Sequence, residues 1–276
     1  MKWITIKKRI KWLFLRHPLL YYIRFALICK NKKGNHPHLS AFNDINLKED
    51  VHPLFFEVNN DIMLLPQMDE FEKAISIAIH LRKKIKGGRG LGYSSDKSLR
   101  YMLDGKGGVC SDFSQIFNVF CLINDVRVRE WGAVDRFYKV RYGHTFNEIY
   151  SKRFKKWILI DIGKNIYFVD AEGIPLSVTK LFWSLRDGKP LKFRFFSGYR
   201  CIDMDRIDKI FSKKTVPFLI GNYNNKVYDY YLNKFQSYPP FLINALLITL
   251  RKNYKYIFVM DNYKAKLFPI FEKTSG

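Results

Sequence analysis

Apolar residues recur at helical spacing over residues 69–86, where Phe71, Ile75, Ala78, Ile79 and Ile85 mark one side. Asp69, followed three residues later by Glu72, reads as a capping box at the start of this helix. Gly87-Gly88 ends it. A second run, 109–124, sets Phe113, Ile116, Phe117, Phe120 and Cys121 at helical spacing, and Val119, Leu122 and Ile123 make the rest apolar too. A helix apolar nearly all round is predicted to be central and buried. Strand-like runs follow at 126–134, 137–142, 144–150, 157–162 and 166–169. Their short connections predict an antiparallel sheet. Helices first and strands afterwards predict an α+β domain, with the Cys110-bearing helix packed on that sheet. After Pro190 the pattern changes to a strand at 192–199 and helices at 203–212, 227–235 and 241–252. The last of these is too short to span a bilayer and reads as a packed or interfacial helix.

The pattern divides the chain into a basic amphipathic segment (1–33), a linker and lead-in (34–64), a core (65–190) and a mostly helical C-terminal extension (191–276). The first segment holds ten Lys/Arg and no acid, with Trp3, Ile6, Ile10, Leu13 and Phe14 at helical spacing between basic residues. Its two apolar stretches fall short of the ~20 uninterrupted residues that cross a bilayer. No small-residue cleavage site follows a clean apolar stretch. Two readings fit: a helix lying on an anionic membrane surface, and a helix packing its stripe on the rest of the protein. The linker is breaker-rich (Gly34, Pro37, Pro53), and its His36, His38 and His52 lack companions at metal-ligand spacing.

Composition changes the picture mainly through charge. With 48 Lys+Arg against 25 Asp+Glu, the net charge is +23. Such an excess favours anionic partners, among them the inner leaflet of a membrane. Nucleic acid is the weaker reading, because no recognition motif is present and the aromatic residues fit a core. Cys29, Cys110, Cys121 and Cys201 are widely spaced with no CxxC, which argues against a zinc site. Two disulfides remain open by count, while free thiols in the reducing cytoplasm suit a chain of this size better. The glycines at 87–92 and 105–108 do not form a phosphate-binding order. No metal or organic cofactor is expected.

The candidate chemistry gathers at three residues. Cys110 stands at the predicted start of its helix, where unpaired N–H groups favour a thiolate. Its own N–H is placed to donate to an oxyanion. His144 follows Gly143 at a strand start, 34 residues after Cys110, and Asp161 lies 17 residues further on. On neighbouring strands of a hairpin, His144 and Asp161 can share a face, with the carboxylate orienting an imidazole that pairs with the thiol. Tyr101 and Asp112 are further candidates for oxyanion or substrate contacts.

Three segments, Gly108-Val-Cys-Ser-Asp-Phe-Ser114, Gly143-His-Thr-Phe-Asn-Glu-Ile149 and Trp157-Ile-Leu-Ile-Asp161, resemble the motifs of the transglutaminase-like superfamily in order, flanks and spacing. The resemblance covers roughly residues 65–175. It implies a papain-like core and thiol acyl chemistry on a peptide or amide-bearing substrate, through Cys110, His144 and Asp161 and without a cofactor. Thr145-Phe146 stands where Ala-Trp is common, and Ile162-Gly163 follows Asp161 where Pro is common; neither change removes a catalytic group. The rival expectation is a non-enzymatic binding or scaffold module of the same fold at the membrane, in envelope polymer assembly.

Overall fold

The computed structural model describes residues 18–32, 41–135, 143–196 and 204–267. The expected amphipathic stretch through Phe14, the linker residues His36 and His38, the expected strand at 137–142, and Cys201 lie outside these residues.

Helix α1 (Pro18–Ile28) runs directly into strand β1 (Cys29–Asn31). Helix α2 (Pro53–Asn59) is capped by His52, whose Nδ1 accepts the Leu54 N–H at 3.2 Å. Helix α3 (Glu70–Lys84) begins with the expected capping box. Asp69 accepts the Glu72 N–H at 2.8 Å, and Glu72 returns a bond to the Asp69 N–H at 3.0 Å. Helix α4 (Ser95–Leu103) leads through a glycine turn to helix α5 (Cys110–Ile123), whose residues from Asp112 to Leu122 are buried except Gln115.

Strands β2 (Val128–Val134), β3 (Gly143–Ser151) and β4 (Lys156–Ile160) form an antiparallel meander, as the sequence predicts. The remaining elements are β5 (Ile166–Phe168), α6 (Val178–Arg186), β6 (Phe193–Phe195), α7 (Met204–Ile210), β7 (Val216–Gly221), α8 (Asn225–Lys234), α9 (Pro240–Thr249), β8 (Lys255–Phe258) and α10 (Tyr263–Leu267).

Two features correct the expected antiparallel sheet. The main sheet has six strands in the order β1-β8-β7-β2-β3-β4 and is mixed, because β1 pairs with β8 in parallel. Strand β5, expected in the same sheet, pairs with β6 in a separate two-stranded one. The C-terminal third is also less purely helical than its pattern suggests. Strand β7 lies beside β2 in the middle of the main sheet, and β8 lies beside β7. Gly132 makes room for this pairing: a Cβ there would sit 2.5 Å from the ring of Phe218 on β7.

The main sheet separates two cores. On one side α5, with Ile116, Phe117 and Phe120, packs over Ile149, Ile158 and Ile160. On the other, Phe146, Leu159, Phe168, Phe182 and Phe211 pack together. Residues of β3 therefore alternate between the cores, and this alternation sets where His144 points.

Candidate functional site

Cys110 is the first residue of α5. The turn before it is clamped to the loop after α3 by two backbone bonds, Gly88 N–H to Gly108 O and Gly108 N–H to Arg89 O, both 2.8 Å. Gly107 and Gly108 have φ of +147° and +117°, and side chains there would meet Arg89 O at 2.5 Å and Met102 Cε at 2.7 Å. Only glycine fits this approach, so these residues shape the turn in front of the thiol.

Asp112 fixes the start of the helix. Its carboxylate accepts the Val109 N–H at 2.8 Å and the Leu91 N–H at 3.3 Å. Burial raises its pKa against those backbone bonds. A carboxylate so occupied supplies no donor to an oxyanion; it holds the helix start and the neighbouring loop together. Tyr101 is likewise engaged elsewhere: its ring lies 5.1 Å from that of Tyr93 and under the Lys106 ammonium at 4.9 Å. No hydrogen bond or ring contact among the described residues joins Tyr101 to Cys110 or His144.

His144, the second residue of β3, shares the face of Phe146, and Asp161 follows β4 by one residue. The register Asn147↔Ile160 places Asp161 across from Phe146, so His144 and Asp161 are diagonal neighbours on one face. His144 Nε2 and Asp161 Oδ2 are 2.7 Å apart, and Asp161 is fully buried. The other Asp161 oxygen accepts the Lys164 N–H at 3.0 Å. A tight turn supplies that donor: Asp161 and Ile166 exchange backbone bonds, and Asn165 takes the left-handed conformation at φ +62°.

Helix α5 packs on the opposite face of β3 from His144, through Asn147 and Ile149. Cys110 nevertheless meets the ring, because it begins its helix and His144 stands near the start of its strand, bringing both to the same end of the sheet. With Nε2 engaged by Asp161, the ring's Nδ1 is left to face the sulfur. The Thr145 N–H also bonds the sulfur. Burial works against a thiolate here, but the hydrogen bond and charge of His144, with the Thr145 N–H, pull the Cys110 thiol below its usual range. Burial also disfavours an imidazolium, yet Asp161 and the Cys110 sulfur overcome it and push His144 up to about 10. The other described cysteines behave oppositely: burial raises both Cys29 and Cys121.

Gly163 touches all three groups. A Cβ on it would lie 3.2 Å from His144 Cε1, 3.3 Å from Asp161 Oδ1 and 3.7 Å from Cys110 Cβ. Gly163→Ala should therefore shift the imidazole by a few tenths of an ångström and slow Cys110 alkylation by about tenfold, since small misplacements of reacting groups carry large rate effects. Thermal melting should change little. An unchanged alkylation rate would contradict this packing role.

Several residues that the sequence reading did not single out support the site. Asn147 donates to Ser114 O at 3.1 Å and to Asn118 Oδ1 at 2.8 Å, and Asn118 donates to Glu130 at 3.0 Å. This polar chain ties α5 to β2 and β3. Burial, with the Cys110 and Asp112 charges nearby, pushes Glu130 up to about 8 against the Asn118 bond. Glu148, the acid of the His144 segment, has a scaffold role. It accepts from Arg129 Nε, Trp131 Nε1 and the Val178 N–H, each at 2.6 Å. Phe211, from the C-terminal third, stands edge-on to the His144 ring at 6.2 Å. A polar Asn118 in the apolar middle of α5 was the one sequence signal for this support.

Residues 58–162 match the family model of the Transglutaminase-like superfamily, whose members are generally cysteine enzymes. The matched span carries all three residues of the candidate site. No match was found among the curated proteins or the solved structures.

Proposed function

We propose that the transglutaminase-like domain at 58–162 is a papain-like thiol enzyme that acts on an amide or peptide carbonyl. The Cys110 thiolate attacks the carbonyl carbon, and the tetrahedral oxyanion is met by the Cys110 N–H in the first turn of α5, where backbone N–H groups lack acceptors within the helix. His144 gives its proton to the departing amine as the C–N bond breaks, leaving a thioester on Cys110. Water or a second amine then attacks the thioester while His144 takes its proton, giving hydrolysis or acyl transfer. Asp161 holds the imidazole with one nitrogen toward the sulfur and stabilises its charged form. The observation that carries this reading is the imidazole bonded on one side to the Cys110 sulfur and on the other to a fully buried carboxylate at 2.7 Å.

The test is intact-mass analysis of the protein incubated with peptides bearing glutamine or asparagine carboxamides. A hydroxylamine-labile adduct should appear on the native chain and be missing from Cys110→Ala. Equal adducts on both proteins, or none on either across a broad peptide set, would count against the enzyme. The second outcome favours the rival reading, a binding or scaffold unit on the inner face of the membrane in envelope polymer assembly. That reading draws its support from the charge of +23 and the apolar surface described next.

A further inference from the structure

Helices α1 and α9 are adjacent, and each is apolar on two sides. Their inner residues, Phe25 and Ile28 on α1 and Ile243 and Leu247 on α9, are buried in the cores. Their outer residues are not. Leu19, Ile23 and Leu27 repeat at intervals of four along α1, and Leu242, Leu246 and the residue just past its end, Leu250, do so on α9, with exposures from 36% to 56%. Each set is a single stripe. An apolar groove runs between the two helices over Ala245 and Ile248. Isolated exposed leucines are ordinary, but Ile23 and Leu27 of the first stripe line this groove with Phe241 and Ile248, and the second stripe lies on the same helix beside it, so together they form a patch that calls for a partner.

Charge identifies that partner. The helices lead into the parallel pair β1 and β8, which brings their C-terminal ends together. Lys30, Arg251 and Lys255 stand there; Lys255 donates to Leu27 O at 3.0 Å, and Lys30 and Arg251 are near enough to act on its charge. Residues 18–32 and 236–258 together hold Arg24, Lys30, Lys32, Arg251, Lys252 and Lys255 and not one acid. Residues 1–17, which lead directly into α1, add six more basic residues and no acid. A second copy docked face to face would set these like charges against one another. A nucleic acid would match the charge but leave the leucines without a partner. An anionic bilayer satisfies both, taking leucines at the depth of the acyl boundary and basic side chains among the headgroups.

We infer that the outer faces of α1 and α9 form a docking surface for an anionic lipid leaflet, seating the protein on a membrane without crossing it. Among the described residues no helix is long and apolar enough to span a bilayer. Helix α9 begins at Pro240, and a side chain on Gly92 would meet that proline at 2.9 Å. Gly92 follows Leu91, whose N–H donates to Asp112 at the start of the Cys110 helix, so a short run of contacts links the start of α9 to the start of α5.

Vesicle flotation of the full chain tests this, using phosphatidylcholine vesicles with and without phosphatidylglycerol at low and high salt. Binding should require phosphatidylglycerol and weaken with salt. The triple variant Ile23→Ser, Leu27→Ser, Leu246→Ser should lose about tenfold or more in binding while melting as the parent does. Lys30→Gln with Arg251→Gln should lose about fivefold for each charge removed. A triple variant that binds like the parent would overturn the proposal, since the basic residues before Pro18 would then carry all the binding. A native chain that is dimeric in light scattering and becomes monomeric in the triple variant would also overturn it, giving the face to a second copy.

Discussion

Iodoacetamide at pH 6 should alkylate Cys110 about a hundredfold or more faster than Cys29 or Cys121, because an ordinary thiol is scarcely ionised there and, among the described cysteines, only Cys110 is held below that range. Burial pushes the other two the opposite way. Peptide mapping after partial labelling gives the ratio. His144→Ala removes the hydrogen bond and the charge that lower the Cys110 thiol, leaving burial to raise it, so the alkylation profile should move to higher pH. Equal labelling of the three cysteines, or a profile unmoved by the His144 change, would exclude the arrangement.

Asp161→Asn should be the most damaging conservative change. The amide keeps an acceptor for the Lys164 N–H but presents either a donor or a neutral oxygen to His144, so the charged imidazole loses its counterion. Thioester formation should fall by about a thousandfold or more, the order seen when a carboxylate that orients a histidine is replaced by its amide. Melting should change far less. Activity within a few-fold of the parent would show that Asp161 serves the turn at Asn165 and not the imidazole. The raised His144 pKa adds a sign to the pH dependence. Acyl transfer from an amide needs a protonated His144 to release the amine, so it should decline as pH passes about 10. Alkylation needs only the thiolate and should not decline there. The two profiles should therefore part at high pH.

The candidate site was largely legible because its parts are local. A glycine turn before Cys110, a helix apolar from its first turn, and a histidine and an aspartate on adjacent strands of one hairpin can all be read from neighbouring residues. What supports the site was not legible, because it depends on where distant segments meet. The three residues of β1 and the four of β8 are too short to show alternation, and their parallel pairing exists only once α1 and α9 lie side by side. Strand β7 contains Pro217, opposite Ala133, and a proline ordinarily argues for an edge strand. Gly132 and Phe218 make its central place workable, and neither announces the other in the sequence. Asp112 looked like part of the chemistry because it stands two residues from Cys110. Its carboxylate instead accepts the N–H of Val109 just before the helix and that of Leu91 in a loop 21 residues earlier. Phe211 could not be linked to His144 before the C-terminal third was seen to join the sheet.

The central claim is that His144 holds the Cys110 thiol below its ordinary range and so favours the thiolate. The most direct measurement is the ultraviolet thiolate absorbance of the native chain minus that of Cys110→Ser, followed across pH. The account predicts a midpoint clearly below the ordinary thiol value of about 8.5. A midpoint at or above that value would contradict it.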